Sequence, residues 1–131
     1  MSAGLLIITH NDIGEQLLNT ATTMLDTCPL PAAAIAINTD CNPDNTIKQA
    51  LQLVDELDSG EGVLVLTDMY GSTPSNIANQ LSDGHHVVVV TGINLPMLIR
   101  VLNYPRLNLE QLADKAGSGG HDGIIICETK C

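Results

Sequence analysis

Short apolar runs separated by segments of helical periodicity constrain the fold more than any other feature of the chain. Leu5–Ile8, Val63–Leu66 and Val87–Val90 are apolar throughout and do not alternate with polar residues. Strands that are buried on both faces have this composition. The runs therefore predict a mostly parallel sheet covered by helices. The five predicted strands are Leu5–Ile8, Ala33–Ile37, Val63–Leu66, Val87–Val90 and Ile124–Cys127.

The segments next to these strands repeat their apolar residues at a spacing near 3.6, which indicates one buried face of a helix. Most of these segments are preceded by residues that commonly start helices. These residues are Asn11 or Asp12 (with Glu15 completing a capping box), Asn42-Pro43, Ser72-Thr73-Pro74 and Asn108. The predicted helices are Ile13–Leu25, one containing Ile47–Leu57, one after Pro74, one from Asn94 or Leu95 to Leu102, and Leu109–Ala116.

Alternation of strands and helices predicts an α/β fold with right-handed crossovers. We expect a doubly wound sheet of order 2-1-3-4 with helices on both faces. The 131 residues suffice for one domain with a full core and are too few for two ordinary domains. The stretch Gly117–Gly123 is predicted to be a flexible loop that separates the last strand from the rest of the chain.

Dense polar residues follow two of the predicted strands. Thr9-His10-Asn11-Asp12 ends the first strand, and Asp68 follows the third, a few residues before Ser72-Thr73-Pro74. In a sheet of order 2-1-3-4 these strands are neighbours at the switch point, where doubly wound folds bind ligands. We therefore expect His10 and Asp68 to face each other across a crevice.

A histidine paired with a carboxylate has a defined chemical use. The carboxylate fixes the ring tautomer and leaves the other ring nitrogen free to attack as a nucleophile. Two helix N-termini and the hydroxyls of Ser72 and Thr73 would provide an anion site beside it. Together these groups favour phosphoryl transfer. From the residues alone, a purely structural role for His10 remains an equal alternative, and His85-His86 are interpreted as exposed turn residues.

Composition argues against several partner classes. The chain has 5 Lys+Arg against 15 Asp+Glu, a net charge of −10, and no Phe or Trp. Nucleic acids are bound by basic residues and stacking aromatics, so they are not expected as partners. No apolar run is long enough to span a membrane, and the four cysteines lack zinc-binding spacing. We expect a cytoplasmic protein with reduced thiols and with neither metal nor cofactor.

Three separated motifs follow one another in a recognisable order. They are Ile8-Thr9-His10 with Glu15-Gln16-Leu17-Leu18, the run Asp68–Asn76, and the run Gly92–Leu98. With these motifs the chain resembles the IIA component (enzyme IIA) of the mannose family of the bacterial phosphoenolpyruvate-dependent sugar phosphotransferase system. The resemblance covers nearly the whole chain, and it implies a single IIA domain over residues 1–131.

The resemblance implies that His10 accepts a phosphoryl group from the histidine-containing phosphocarrier protein and passes it to a IIB component, for sugar uptake and phosphorylation. Asp68 would orient the ring so that Nε2 attacks. It also implies a homodimer that exchanges a C-terminal antiparallel edge strand, Ile124–Cys127, with Gly117–Gly123 as the hinge. The implied phosphoryl-binding residues are Ser72, Thr73, Tyr70, Gly71 and Asn11.

Two positions depart from some members of that family. Tyr70 stands where some members have tryptophan, and Asn11 where some have glycine. No linker or IIB domain follows the last predicted strand, so we expect a separate IIB protein and a membrane contact only through a transporter. The alternative is a regulatory phosphorelay or binding module of an incomplete system. The phosphotransfer subunit of dihydroxyacetone kinase fits the run Gly71–Asn76 less well.

Overall fold

Four parallel strands form one sheet in the order β2-β1-β3-β4, which confirms the predicted order. The structure is a computed structural model that describes residues 2–82 and 84–129. The strands are β1 (Gly4–His10), β2 (Ala32–Ile37), β3 (Val63–Thr67) and β4 (Val87–Thr91). The helices are α1 (Ile13–Leu25), α2 (Pro43–Leu57), α3 (Thr73–Ala78), α4 (Leu95–Leu102) and α5 (Leu109–Asp122).

The sheet is buried on both faces, which explains its continuous apolar runs. In β1, Leu5 and Ile7 pack into a core formed with α1, α4 and α5. Leu6 and Ile8 point the other way, into a second core formed with α2 and α3. Since successive side chains of a strand point to opposite faces, a strand between two helical layers must be apolar at every position.

The register of the sheet brings three strand ends to one edge. Ile8 of β1 pairs with Thr67 of β3, and His10 pairs with Ile37 of β2. β1 and β2 therefore end at the same level, and β3 ends two residues earlier at the same edge of the sheet. The pairing of the strand backbones alone therefore places the residues that follow these strands side by side.

The glycine-rich stretch Gly117–Gly123 is not a flexible loop, and this prediction was wrong. Residues 117–122 continue α5, and Gly119 and Gly120 are buried. A Cβ added at Gly119 would lie 2.7 Å from Arg100 Cβ, and one at Gly120 would lie 2.9 Å from Met97 Cε. The glycines therefore allow α5 to pack closely on α4, and this packing overrides their low helix propensity.

Residues 124–129 follow α5 without regular secondary structure. Ile124, Ile125 and Ile126 are 72%, 75% and 89% exposed. The antiparallel edge strand at Ile124–Cys127 is thus not formed within one copy of the chain, and its exchange between two copies stays a prediction.

No helix within residues 2–82 and 84–129 combines the length and the apolar character needed to cross a membrane. Cys28, Cys41 and Cys127 are free thiols, as expected. Cys131 lies outside the described residues.

Candidate functional site

His10 and Asp68 meet at the carboxyl edge of the sheet. The ring Nδ1 of His10 lies 2.8 Å from Asp68 Oδ2. The backbone N–H of His10 donates to the same oxygen at 3.1 Å. Because a carboxylate only accepts hydrogen bonds, Nδ1 carries the proton in this arrangement. In a neutral ring Nε2 is then the nitrogen without a proton, and it has no hydrogen-bond partner among the residues that the structure describes.

The two side chains differ in their access to solvent. The His10 side chain is 42% exposed, whereas that of Asp68 is 16% exposed. The second carboxylate oxygen, Asp68 Oδ1, is buried and makes no hydrogen bond within the described part of the chain. The carboxylate therefore stands behind the ring, and the ring is presented to the outside.

A cleft of about 330 Å³ opens beside the histidine. Its second wall is the loop that follows β2, which the sequence interpretation did not include. The predicted order 2-1-3-4 already contained the signal, because it places the end of β2 next to β1. The lining residues are His10, Asn11, Ile37, Asn38, Thr39, Cys41, Pro43 and Thr73.

The start of α1 differs from the prediction. Asp12 occupies the N-cap position but makes no side-chain capping bond. Its φ of −92° and ψ of 16° are not the extended values that a capping side chain needs. Thr9 supplies the missing acceptor, because its Oγ1 accepts from the backbone N–H of Gly14 at 2.8 Å. The predicted caps at Asn11 and Asp12, with their capping box, are therefore wrong.

The loop after β3 holds the remaining predicted phosphoryl-binding residues. Ser72 Oγ donates to the carbonyl of Met69 at 2.5 Å and does not cap α3, contrary to the prediction. Gly71 has a φ of 78°, which glycine adopts without strain, and Tyr70 is 80% exposed. Thr73 lines the cleft with His10, whereas Tyr70, Gly71 and Ser72 form the exposed turn beside it.

His85 is not the exposed turn residue that the sequence suggested. Its ring is 21% exposed, with Nδ1 at 2.6 Å from Asp58 Oδ2 and Nε2 at 3.3 Å from Asp55 Oδ1. The hydrogen bond that the His85 ring donates to Asp58 raises the pKa of His85, and the same bond lowers the pKa of Asp58. His86 is exposed as predicted and pairs with Glu110 at 2.9 Å.

The two neighbouring histidines lie just before β4, at the amino edge of the sheet. They are therefore on the side opposite to His10. Within residues 2–82 and 84–129, no group of three or more His, Cys, Asp or Glu side chains could hold a metal ion. Asp83, in the predicted turn before them, lies outside the described residues.

Known proteins resemble this chain in sequence. A family model described as "PTS system fructose IIA component", where PTS is the phosphotransferase system, matches residues 4–116. The mannose-specific EIIAB component of that system from Escherichia coli (strain K12) is 33% identical over 133 residues, 99% of this chain. This chain spans 41% of the length of that relative.

Solved structures resemble it in fold. The mannose/sorbose specific IIA subunit from Enterococcus faecalis has a TM-score of 0.86 at 24% identity, with 99% of this chain and 98% of that one covered. The PTS IIA protein associated with the fucose utilization operon of Streptococcus pneumoniae has a TM-score of 0.74 at 28% identity, with 90% and 93% covered. Since the family model matches most of the sequence, this chain belongs to the mannose-family IIA components of the phosphotransferase system.

Proposed function

We propose that the chain is a phosphoryl carrier whose His10 accepts a phosphoryl group from the histidine-containing phosphocarrier protein and passes it to a IIB component. Residues 1–131 would then form one IIA domain serving sugar uptake and phosphorylation. One observation carries the proposal: Asp68 holds Nδ1 of His10 at 2.8 Å, while Nε2 has no partner in the described residues and His10 lines an open cleft. Family membership supports the class of reaction.

The transfer follows from the states of the two ring nitrogens. The lone pair of His10 Nε2 attacks the phosphorus of the carrier's phosphohistidine, and a new N–P bond forms. The N–P bond in the carrier breaks, and its electron pair returns to the carrier's ring nitrogen. The proton on Nδ1 stays in place, and the Asp68 carboxylate stabilises the positive charge that the His10 ring gains. Transfer to a IIB histidine repeats these steps with His10 as the donor.

Other residues near the ring have supporting roles in this proposal. Thr73 and Asn11 line the cleft, and their side chains are assigned to the phosphoryl oxygens. Ser72 closes the loop by its bond to the Met69 carbonyl. Tyr70 and Gly71 lie on the exposed part of that loop and are assigned to the surface that meets the protein partner.

Labelling from phosphoenolpyruvate tests the proposal. The chain is incubated with labelled phosphoenolpyruvate, enzyme I and the phosphocarrier protein. We expect acid-labile label on the wild type and none on His10→Ala. His85→Ala is the matched control, because it removes a histidine whose Nδ1 is also bound to an aspartate, and it should label fully. Absence of label on the wild type, or equal label on His10→Ala, contradicts the proposal.

We also infer that two copies of the chain associate through the segment after α5. β4 is one of the two edge strands of the sheet in the described residues, and its first four residues are valines. An apolar edge of this kind attracts another strand. Exposed Ile124, Ile125 and Ile126 offer one. Light scattering should give a dimer mass for the wild type and a lower mass for Ile125→Asp. A monomeric wild type would refute the exchange.

A further inference from the structure

The hydroxyl of Thr9 joins three parts of the chain beneath the site. Thr9 directly precedes His10 and is fully buried, at 0% exposure. Its Oγ1 accepts a hydrogen bond from the N–H of Gly14 in α1 at 2.8 Å. The same hydroxyl donates to the backbone carbonyl of Asn11 at 3.4 Å. One side chain thus links the end of β1, the turn that follows it and the first turn of α1.

The turn that this hydroxyl links is backbone-strained. Asn11 has a φ of 50°, in the left-handed region that residues with a side chain rarely adopt. Such a conformation persists only when surrounding contacts enforce it. Asn11 N–H donates to the carbonyl of Ile37 at 3.0 Å, and His10 N–H donates to Asp68 Oδ2 at 3.1 Å. Thr9 provides the third contact, from below.

Gly14 is matched to Thr9 in shape. A Cβ at Gly14 would lie 2.5 Å from Ile7 Cγ2 and 3.1 Å from Thr9 Oγ1. The missing side chain therefore lets α1 approach β1 closely enough for its amide to reach the hydroxyl. Thr67 offers a contrast, since it ends the neighbouring strand with 0% exposure, yet its Oγ1 has no partner in the described residues.

We propose that Thr9 is a positioning residue for phosphoryl transfer. Its hydroxyl holds the turn at His10 and Asn11 in the form that keeps the His10 ring on Asp68 with Nε2 open to the cleft. Thr9 itself has no exposed surface, so it touches neither the phosphoryl group nor a protein partner. This inference rests on the proposed function of His10.

The kinetic test compares Thr9→Val with Thr67→Val. Both changes replace a buried hydroxyl by a methyl group of similar size. For Thr9→Val we expect kcat for phosphorylation to fall roughly 10- to 100-fold, because a displacement of about 1 Å at a reacting group has effects of this size. The KM for the phosphocarrier should stay unchanged. Thr67→Val should keep both constants within about twofold, because its hydroxyl has no hydrogen bond to lose.

A second pair of variants isolates the oxygen atom. Thr9→Ser keeps the hydroxyl and Thr9→Ala removes it, while both lose the methyl group. We therefore expect phosphoryl transfer to be about tenfold faster in Thr9→Ser than in Thr9→Ala. This factor is the lower end of the roughly 10- to 100-fold loss expected for Thr9→Val. This pair provides the same test if Thr9→Val does not fold.

Nitrogen NMR of the His10 ring provides a readout that needs no phosphoryl donor. The wild type should show one tautomer, with the proton on Nδ1, and Thr9→Val should show a mixture of tautomers. Failure of the wild type to take label would refute the proposed function but leave this comparison intact. A wild-type rate and spectrum in Thr9→Val, equal losses in Thr67→Val, or equal rates in the Ser and Ala variants would each overturn the role of Thr9.

Discussion

Two histidine–aspartate pairs lie at opposite edges of the sheet with nearly the same geometry. His10 Nδ1 is 2.8 Å from Asp68 Oδ2, and His85 Nδ1 is 2.6 Å from Asp58 Oδ2. They differ at the second ring nitrogen. Nε2 of His10 is without a partner in the described residues, whereas Nε2 of His85 lies 3.3 Å from Asp55. The pair alone therefore does not define a candidate site, and the free nitrogen at a cleft does.

The two carboxylates differ in the same way. Asp58 Oδ1 accepts from the backbone N–H groups of Gly60 at 2.8 Å and Gly62 at 2.9 Å. Asp58 thus closes the loop before β3 and binds the histidine with its other oxygen. Asp68 Oδ1 is buried without a hydrogen bond from the described residues. Asp58 has its hydrogen bonds committed to the local fold, whereas Asp68 binds a single residue, His10, through its ring and its backbone N–H.

The largest expected effect comes from replacing the aspartate of the site. Asp68→Asn removes the negative charge behind His10 and no longer enforces a proton on Nδ1. We expect the rate of phosphorylation of His10 to fall by about 10² to 10⁴, the range found when such a carboxylate is lost. Rapid-quench measurement of a single turnover gives this rate. A loss smaller than about fivefold would contradict the role assigned to Asp68.

The corresponding change in the His85–Asp58 pair should lower the stability of the fold. Asp58→Asn weakens the bond to His85 and perturbs those from Gly60 and Gly62. A hydrogen bond to a charged group contributes about 1.5–3 kcal/mol, so the free energy of unfolding should fall by about that amount. Urea denaturation measures it. The single-turnover rate of the folded variant should match the wild type, and a reduced rate would show that the two pairs are coupled.

The fold was predictable where it depends on local patterns, and less so where it depends on contacts distant in sequence. Continuous apolar runs specify doubly covered strands, so both helical layers followed from them, and the order 2-1-3-4 followed from assuming a doubly wound sheet. Gly117–Gly123 was misread because its glycines serve a close contact with Arg100, which no local pattern contains. The strand at Ile124–Cys127 needs a partner edge, so a single chain leaves it as a prediction.

The residues of the candidate site were likewise predictable only where local patterns determine their position. His10 and Asp68 were predicted to meet because they end neighbouring strands. Thr9 was missed because its role depends on the left-handed turn at Asn11, which makes the predicted cap geometrically impossible. His85 was interpreted as exposed because its partner Asp58 is 27 residues away, so no local pattern shows the pair.

The His85–Asp58 pair should also contribute to the pH dependence of stability. The pKa of His85 is raised from its ordinary value of 6.5, chiefly by the hydrogen bond to Asp58. Its stabilising effect is fully present below pH 6.5 and is lost as the pH rises through the raised pKa. The pKa of Asp58 is lowered from 3.8, so its contribution is lost only as the pH falls through that lowered value.

We therefore expect the wild type to exceed His85→Gln in stability most clearly between about pH 4 and 6.5, and less at pH 9. Denaturant titrations of both proteins at pH 5, 7 and 9 measure this difference. His86→Gln serves as the control, because His86 has a single exposed partner, Glu110. A difference that is constant or grows with pH would contradict the charged pair at His85.

The smallest expected effects come from the two left-handed residues that adjoin the histidines. Asn11 follows His10 with a φ of 50°, and Gly84 precedes His85 with a φ of 72°. A Cβ at Gly84 would meet nothing within 4 Å, so only backbone strain opposes a side chain there. Asn11→Ala and Gly84→Ala should each lower the free energy of unfolding by about 1 kcal/mol, as alanine tolerates this region poorly.

The two alanine variants should differ in activity although they cost similar stability. Asn11→Ala disturbs the turn that directs the His10 ring and also removes a side chain assigned to the phosphoryl oxygens, so it should slow phosphorylation several-fold. Gly84 adjoins a ring whose two nitrogens face carboxylates at the other edge of the sheet, so Gly84→Ala should leave the rate unchanged. Equal rates in the two variants would mean that strain in the residue next to a histidine has the same effect on phosphorylation at His10 as at His85.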